Sequence, residues 1–328
     1  RKIRPGPYPG RNTTAACSNR GGQAIKMDLR FRLGERLMGR LDGKVALVTG
    51  AGGGLGRAHA LLLAQEGASV GVNDLGGARD GTGGSASMAD AVVAEIKAAG
   101  GQAAADYGSV SDPAAARGMI QTAVDAFGKL DICINNAGIL RDKSFKNLTD
   151  DMWDVVVDVH LRGTYLVAKA AWDQMIAQGD GGRIINTSST SGLIGNFGQA
   201  NYGAAKAGIA GLTRVLALEG RKYGITVNTL APAAWSRLTE DIMPEGMEAR
   251  VAPEKVSSAV VWLCTEEAKD VSGRQFCSGS NRLSVLSWQV DVIAEKDAMD
   301  EPWTVEEVGE KMQQSIDSCP KLMKPLEV

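Results

Sequence analysis

The sequence predicts an α/β fold, a doubly wound parallel sheet with a helical C-terminal extension, and two patterns carry that prediction. From Leu41 onward, short β-rich runs alternate with Ala-rich helical stretches, as in a parallel sheet covered on both faces. The first run ends in the glycine-rich turn Thr49-Gly50-Ala51-Gly52-Gly53-Gly54-Leu55-Gly56, which opens the first helix. Glycines there let a backbone approach a pyrophosphate, and a helix N-terminus favours its charge.

Lys44–Thr49 reads as the first strand and 55–66 as the helix after it. Ala68–Asn73 is the second strand, ending at Asp74, and Gly76–Ser87 is a glycine-rich loop before a helix over 88–99. A third strand near 102–106 precedes a helix from about Asp112 to Phe127. Asp131–Asn135 is the fourth strand and Arg183–Thr187 the fifth, separated by one long helix over 150–177. The helix carrying Tyr202 runs to about Tyr223. Ile225–Leu230 is the sixth strand and Gln275–Cys277 a short seventh. Beyond Ser280 the chain becomes more polar, with helical stretches near 288–296 and 305–315. Thr304-Val-Glu-Glu307 reads as a capping box for the second of these.

With 328 residues, 44% of them hydrophobic, the chain can bury a large core. A net charge of -2 offers no electrostatic case for nucleic acid. No apolar run approaches the roughly 18 residues that span a bilayer. The five cysteines form no framework and read as free thiols, and two histidines are too few for a histidine-rich metal site, so no metal is expected. Arg1 to Met27 carries six basic residues and no acidic ones. Two readings of residues 1–40 stand: a disordered leader, which places the protein in the cytoplasm, or a targeting segment, which places it in an organelle matrix.

Tyr202 and Lys206 are four residues apart, so one helical face carries a phenol and an ammonium. An adjacent cation favours the phenolate and is expected to lower the tyrosine pKa toward the working range. Such a tyrosine can exchange a proton with an alcohol or carbonyl. Asp74, at the end of the second strand, is placed to accept hydrogen bonds from both hydroxyls of an adenosine ribose, and it would repel a 2′-phosphate. No arginine follows it directly and Arg79 lies five residues on, which favours NAD over NADP. Asn136, Ala137 and Gly138 close the fourth strand, where small residues let a nucleotide pack against the backbone.

Together Thr-Gly-(x)3-Gly-Leu-Gly, Asn-Asn-Ala-Gly and Ser189 with Tyr202-(x)3-Lys206 resemble the short-chain dehydrogenase/reductase family, over about Leu41 to Gly279. Val72-Asn-Asp-Leu-Gly-Gly77, Val159-His-Leu-Arg-Gly163 and Gly195-Asn-Phe-Gly-Gln-Ala-Asn-Tyr202 are similar to its (3R)-hydroxyacyl-CoA dehydrogenase subgroup, found in type 2 peroxisomal multifunctional enzymes. The resemblance implies a Rossmann-type sheet of about seven strands forming an NAD-binding domain over 41–279, with 280–328 as the extension. It implies Tyr202 as acid/base, Lys206 as its modulator and ribose ligand, and Ser189 as the group that binds the substrate oxygen. Gly50, Gly54, Leu55, Gly56, Asp74, Ser109, Val110, Asn136, Ala234, Trp235, Ser236 and Arg237 fall at cofactor positions.

In many members an asparagine stands where this chain has His160 and holds a water that relays protons from the lysine. The relay here must differ, or His160 is a packed core residue. Trp235 also departs from the pattern. The implied reaction is NAD-dependent interconversion of a (3R)-3-hydroxyacyl-CoA and its 3-ketoacyl-CoA. Oxidation of a 17β-hydroxysteroid or other bulky secondary alcohol is the alternative, and a non-catalytic nucleotide-binding protein the alternative of another class. Pairing of the helices over 150–177 and 199–223 across subunits implies a homodimer or homotetramer.

Overall fold

A computed structural model describes residues 39–234, 246, 248–287, 292–297 and 301–318. Residues 1–38 and Trp235, Ser236 and Arg237 lie outside the described residues.

Eight strands form one sheet: β1 (Val45–Thr49), β2 (Ser69–Asn73), β3 (Gln102–Asp106), β4 (Ile132–Asn135), β5 (Gly182–Thr187), β6 (Ile225–Ala233), β7 (Gln275–Gly279) and β8 (Arg282–Leu286). Their order is β3-β2-β1-β4-β5-β6-β7-β8. All neighbours pair in parallel except β7 and β8. The order reverses between β1 and β4, and in such sheets a ligand crevice opens there, beyond the carboxyl ends of the strands.

The helices are α1 (Gly54–Gln65), α2 (Ser87–Ala98), α3 (Pro113–Phe127), α4 (Asp150–Val157), α5 (Gly163–Gln178), α6 (Thr190–Leu193), α7 (Ala200–Gly220), α8 (Glu254–Leu263) and α9 (Val305–Ser318). Strand β1 shows why two layers form. All five of its residues are buried; Val45 and Leu47 join one apolar cluster while Ala46 and Val48 join the other. Side chains alternate with period two, so an unbroken apolar strand needs helices on both faces. Leu63, Val92, Ile96 and Val260 of α1, α2 and α8 fill one face. Met119, Ile120, Val167 and Met175 of α3 and α5 fill the other. Cys133, Cys264 and Cys277 are free and buried, and burial pushes the first two thiols up to about 12.

Four expectations change. The helix over 150–177 is not uniform, because a π-helical turn, Asp158–Arg162, separates α4 from α5. Helix α8 was not anticipated. The sheet has an eighth strand, β8, in a segment expected to open the helical extension; Ser280 and Asn281 turn back with positive φ and let it pair antiparallel with β7. Residues 292–296 are not helical, and 288–291 of that expected stretch lie outside the described residues. The capping box is present: Glu307 N–H donates to Thr304 Oγ1 (3.1 Å) and Thr304 N–H to Glu307 Oε2 (2.8 Å).

The β1–α1 turn leaves no space at Gly56. A Cβ there would overlap the Gly50 carbonyl oxygen and lie 2.6 Å from Asn136 Nδ2. Gly56→Ala is therefore expected to destabilise the fold by about 1–3 kcal/mol through overpacking. Urea denaturation followed by circular dichroism checks it, and an unchanged midpoint would show that the turn relaxes freely.

Candidate active site

Main-chain and side-chain hydrogen bonds lock the ends of β1 and β4 together. Thr49 Oγ1 accepts from the N–H groups of Asn136 and Ala137, each at 3.1 Å. Asn136 Nδ2 donates back to the carbonyls of Thr49 (3.0 Å) and Gly50 (3.1 Å). Beside this lock lies a cleft lined by Gly50, Gly54, Leu55, Gly56, Asp74, Ser109, Val110, Asn136, Ala137 and Gly138. The structure thus brings together ten cofactor candidates scattered over ninety residues of sequence. Ala234, the residue after β6, is buried and does not line that cleft.

Asp74 is buried at the end of β2, and its carboxylate organises the rim of the cleft. Oδ2 accepts from Gly52 N–H and Oδ1 from Gly76 N–H, both at 2.7 Å. A carboxylate has about four acceptor positions, so two remain for hydroxyl donors. Neighbouring Asn73 was missed in the sequence: Nδ2 donates to Asp106 Oδ1 (2.7 Å) and the Gly108 carbonyl (3.0 Å), shaping the shelf that carries Ser109 and Val110. Arg79 also needs correcting. Five residues from Asp74 in sequence, it nevertheless lines the same cleft, because its loop folds back along β4's exit, where Leu140 N–H donates to the Arg79 carbonyl (3.1 Å).

Ser189 caps the short helix α6 just after β5, with Oγ accepting from Ser191 N–H at 3.1 Å. The same hydroxyl also hydrogen-bonds Tyr202. Tyr202 and Lys206 occupy the first two turns of α7, the expected shared face. Asn201 fixes the entry of that helix. Its Oδ1 accepts from Tyr202 N–H (2.8 Å), and Nδ2 donates to the carbonyls of Arg141 (3.1 Å) and Met152 (3.0 Å). Gln199 bridges Asp142 Oδ2 (2.7 Å) and Ser191 Oγ (2.7 Å). Neither residue could be singled out from spacing, since amides serve many local roles.

The electrostatics differ from expectation. Lys206 is 3% exposed; Nζ donates to the Thr187 carbonyl at 2.7 Å and lies 5.5 Å from the centre of the Tyr202 ring. Burial pulls its pKa down to about 7. Tyr202, expected to be lowered, is pushed up to about 12: burial dominates, a hydrogen bond with Ser189 pulls it down, and the Asp142 charge adds to the rise. Desolvation penalises both charged forms, so proximity alone does not make a phenolate.

The short chain dehydrogenase family pattern matches residues 44–242. The chain belongs to this family. It is an oxidoreductase acting on a CH–OH group, and the family works with a nicotinamide dinucleotide. Over 278 residues, 85% of this chain, it is 49% identical to peroxisomal multifunctional enzyme type 2 of Mus musculus. It spans 37% of that relative's length. It is 40% identical over 260 residues to hydroxyacyl-CoA dehydrogenase ChsB1 of Mycobacterium tuberculosis, covering 75% of this chain and 80% of that one. The crystal structure of a short chain dehydrogenase from Mycobacterium avium superposes with a TM-score of 0.75 at 44% identity, over 88% of this chain and 99% of that one. Among the described residues no helix is long and apolar enough to cross a membrane.

The depressed Lys206 pKa has a thermodynamic consequence. Between about 7 and the ordinary 10.5 the unfolded chain binds a proton that the folded chain does not. The Lys206 contribution to stability is complete above that window and is lost as pH falls through it. The unfolding free energy of the wild type minus that of Lys206→Met is therefore expected to increase from pH 7 to pH 10, measured by urea titration at each pH. A difference that stays flat would place the ammonium in contact with water.

Proposed function

We propose that this protein is an NAD-dependent dehydrogenase that interconverts a (3R)-3-hydroxyacyl-CoA and the 3-ketoacyl-CoA. The observation that carries the reading is that Ser189 and Lys206 meet at Tyr202, in a fold that also holds a cleft whose rim is organised by a buried carboxylate, Asp74. The similarity to the mycobacterial hydroxyacyl-CoA dehydrogenase supports the hydroxyacyl-CoA class.

In this reading Gly50, Gly54 and Gly56 cradle a pyrophosphate, and the free acceptor positions of Asp74 take the ribose hydroxyls. Ser109, Val110, Asn136, Ala137 and Gly138 wall the nucleotide. A bound nicotinamide ring supplies the hydride acceptor for C3 of the substrate. Ser189 hydrogen-bonds the substrate oxygen through its hydroxyl and stabilises the charge that develops there. Tyr202, in its phenolate form, takes up the hydroxyl proton as the C–H bond breaks, and the phenol returns it in the reverse direction. Lys206, held by the Thr187 carbonyl, favours the phenolate when it carries its proton and offers a donor for the nicotinamide ribose. Exposed Tyr165 on α5 and exposed Val215 and Leu218 on α7 support a homodimer or homotetramer joined through these helices. Cytoplasm is the proposed compartment, and an organelle matrix the alternative that the peroxisomal relative favours.

Assays of NAD reduction with (3R)- and (3S)-3-hydroxyacyl-CoAs and a 17β-hydroxysteroid test the substrate. Turnover of the (3R)-thioester is expected, with Tyr202→Phe lowering kcat roughly 10²- to 10⁴-fold while NADH still binds. A preference for the steroid would replace the thioester with a bulky secondary alcohol. Undiminished turnover by Tyr202→Phe would remove the tyrosine from the chemistry.

On the cofactor, Asp74→Ala is expected to reduce the NAD-over-NADP ratio of kcat/KM by about ten- to hundredfold, the range of a lost charge-assisted hydrogen bond. An unaltered ratio would assign Asp74 to the turn alone.

A further inference from the structure

The loop over 75–86, between β2 and α2, walls one side of the cleft with Leu75, Gly77, Ala78, Arg79 and Gly81. No residue from Leu75 to Ala86 is buried, so the apolar core does not hold this wall. Segments with few buried apolar contacts open locally at little cost, and hydrogen bonds decide where they rest. Within the loop, Ser85 N–H donates to the Leu75 carbonyl (3.0 Å) and Ala78 N–H to the Thr82 carbonyl (2.7 Å). Gly76 permits that closure: its φ is +73°, and a Cβ there would overlap the Ser85 carbonyl oxygen. These bonds shape the loop but do not fix its tip against the cleft.

The segment that leaves β4 holds the tip. Leu140 N–H donates to the Arg79 carbonyl (3.1 Å), and Arg141 Nε–H donates to the Asp80 carbonyl (2.9 Å). Gly81 packs on Ile139, where a Cβ would come within 3.1 Å of Cδ1. Arg141 is anchored in turn from the opposite side. Its carbonyl accepts from Asn201 Nδ2 (3.1 Å), and the Asp142 carboxylate after it accepts from Gln199 Nε2 (2.7 Å). Lys143 pairs with Gln199 in a parallel bridge. A side chain held this way is better fixed than the loop it grips, as a supporting residue has to be. Arg141 does not line the cleft; it lines the adjoining groove with Asp80, Asp142 and Met152.

We propose that Arg141 is a positioning residue for the dinucleotide: its Nε–H clasps the Asp80 carbonyl and holds the tip of the 75–86 loop in place as a wall of the cleft. The ligand then meets a wall already formed and does not spend binding energy on ordering it. The donor at Nε carries the effect, and the charge of the guanidinium does not.

Two substitutions of similar reach separate donor from charge. Glutamine carries an amide N–H as many bonds from Cα as arginine Nε, whereas methionine has the length and no donor. Arg141→Met is expected to weaken NADH binding about tenfold, titrated by NADH fluorescence on the full chain, the order of one lost charge-assisted hydrogen bond. Arg141→Gln should recover most of that loss. Amide exchange of the free proteins, read by mass spectrometry, gives a measure that needs no ligand. Peptides covering 75–86 should exchange faster in Arg141→Met than in wild type or Arg141→Gln, while peptides of α7 keep their protection.

Equal loss of affinity in both variants would assign the effect to the charge and overturn the clasp. Loop exchange that is the same in all three proteins would overturn it too, and exposure of α7 in Arg141→Met would make Arg141 a residue of the fold at large. The inference rests on the reading of the cleft as a dinucleotide site. A wild type that binds no NADH would overturn that reading and the proposal together; a wild type that binds it no better than Arg141→Met would overturn the proposal alone.

Discussion

The hydrogen bond from the buried Lys206 amine to the Thr187 carbonyl is the interaction on which the geometry of the site depends. Thr187 ends β5, and Lys206 lies in the second turn of α7, so this 2.7 Å contact ties the sheet to the helix that carries Tyr202. Ser188 Oγ reinforces it by donating to the Lys206 carbonyl at 2.9 Å. A buried amine would be costly without such a partner, because desolvation penalises its charge. The same contact therefore satisfies the lysine and fixes the spacing between Ser189, at the mouth of β5, and the phenol.

A second set of bonds serves the cleft. Thr49 and Asn136 exchange hydrogen bonds across the gap between β1 and β4, where the strand order reverses. Gly50 and Gly56 are needed because the two turns come too close for a side chain. Binding surface for a nucleotide and stability of the sheet end are thus built from the same atoms. Asp74 shares this double character: its carboxylate ties Gly52 to Gly76 while retaining free acceptor positions.

Electrostatics in this site run against simple proximity. Tyr202 and Lys206 are close, yet burial holds the phenol near 12 and the amine near 7, so both resting groups lean toward neutrality. Activation then has to come from groups that favour the charged forms at close range. Ser189 does so for the phenolate.

The sequence by itself determined the alternation of strands and helices, the glycine turn, Asp74 at the end of β2 and the shared face of Tyr202 and Lys206. All are local: period-two and helical spacing, or a residue's place at a strand end, are legible without knowing what packs against what. Only the tertiary structure decided the rest. Strand β8 depends on a left-handed reversal at Ser280 and Asn281 and on pairing with β7. Arg79 reaches the cleft because a loop folds back, which linear distance concealed. The His160 ring on the π-helical turn packs against Gly138, twenty-two residues away. The direction of the Tyr202 shift depends on burial, and burial is a property of the assembled fold rather than of neighbours in the chain.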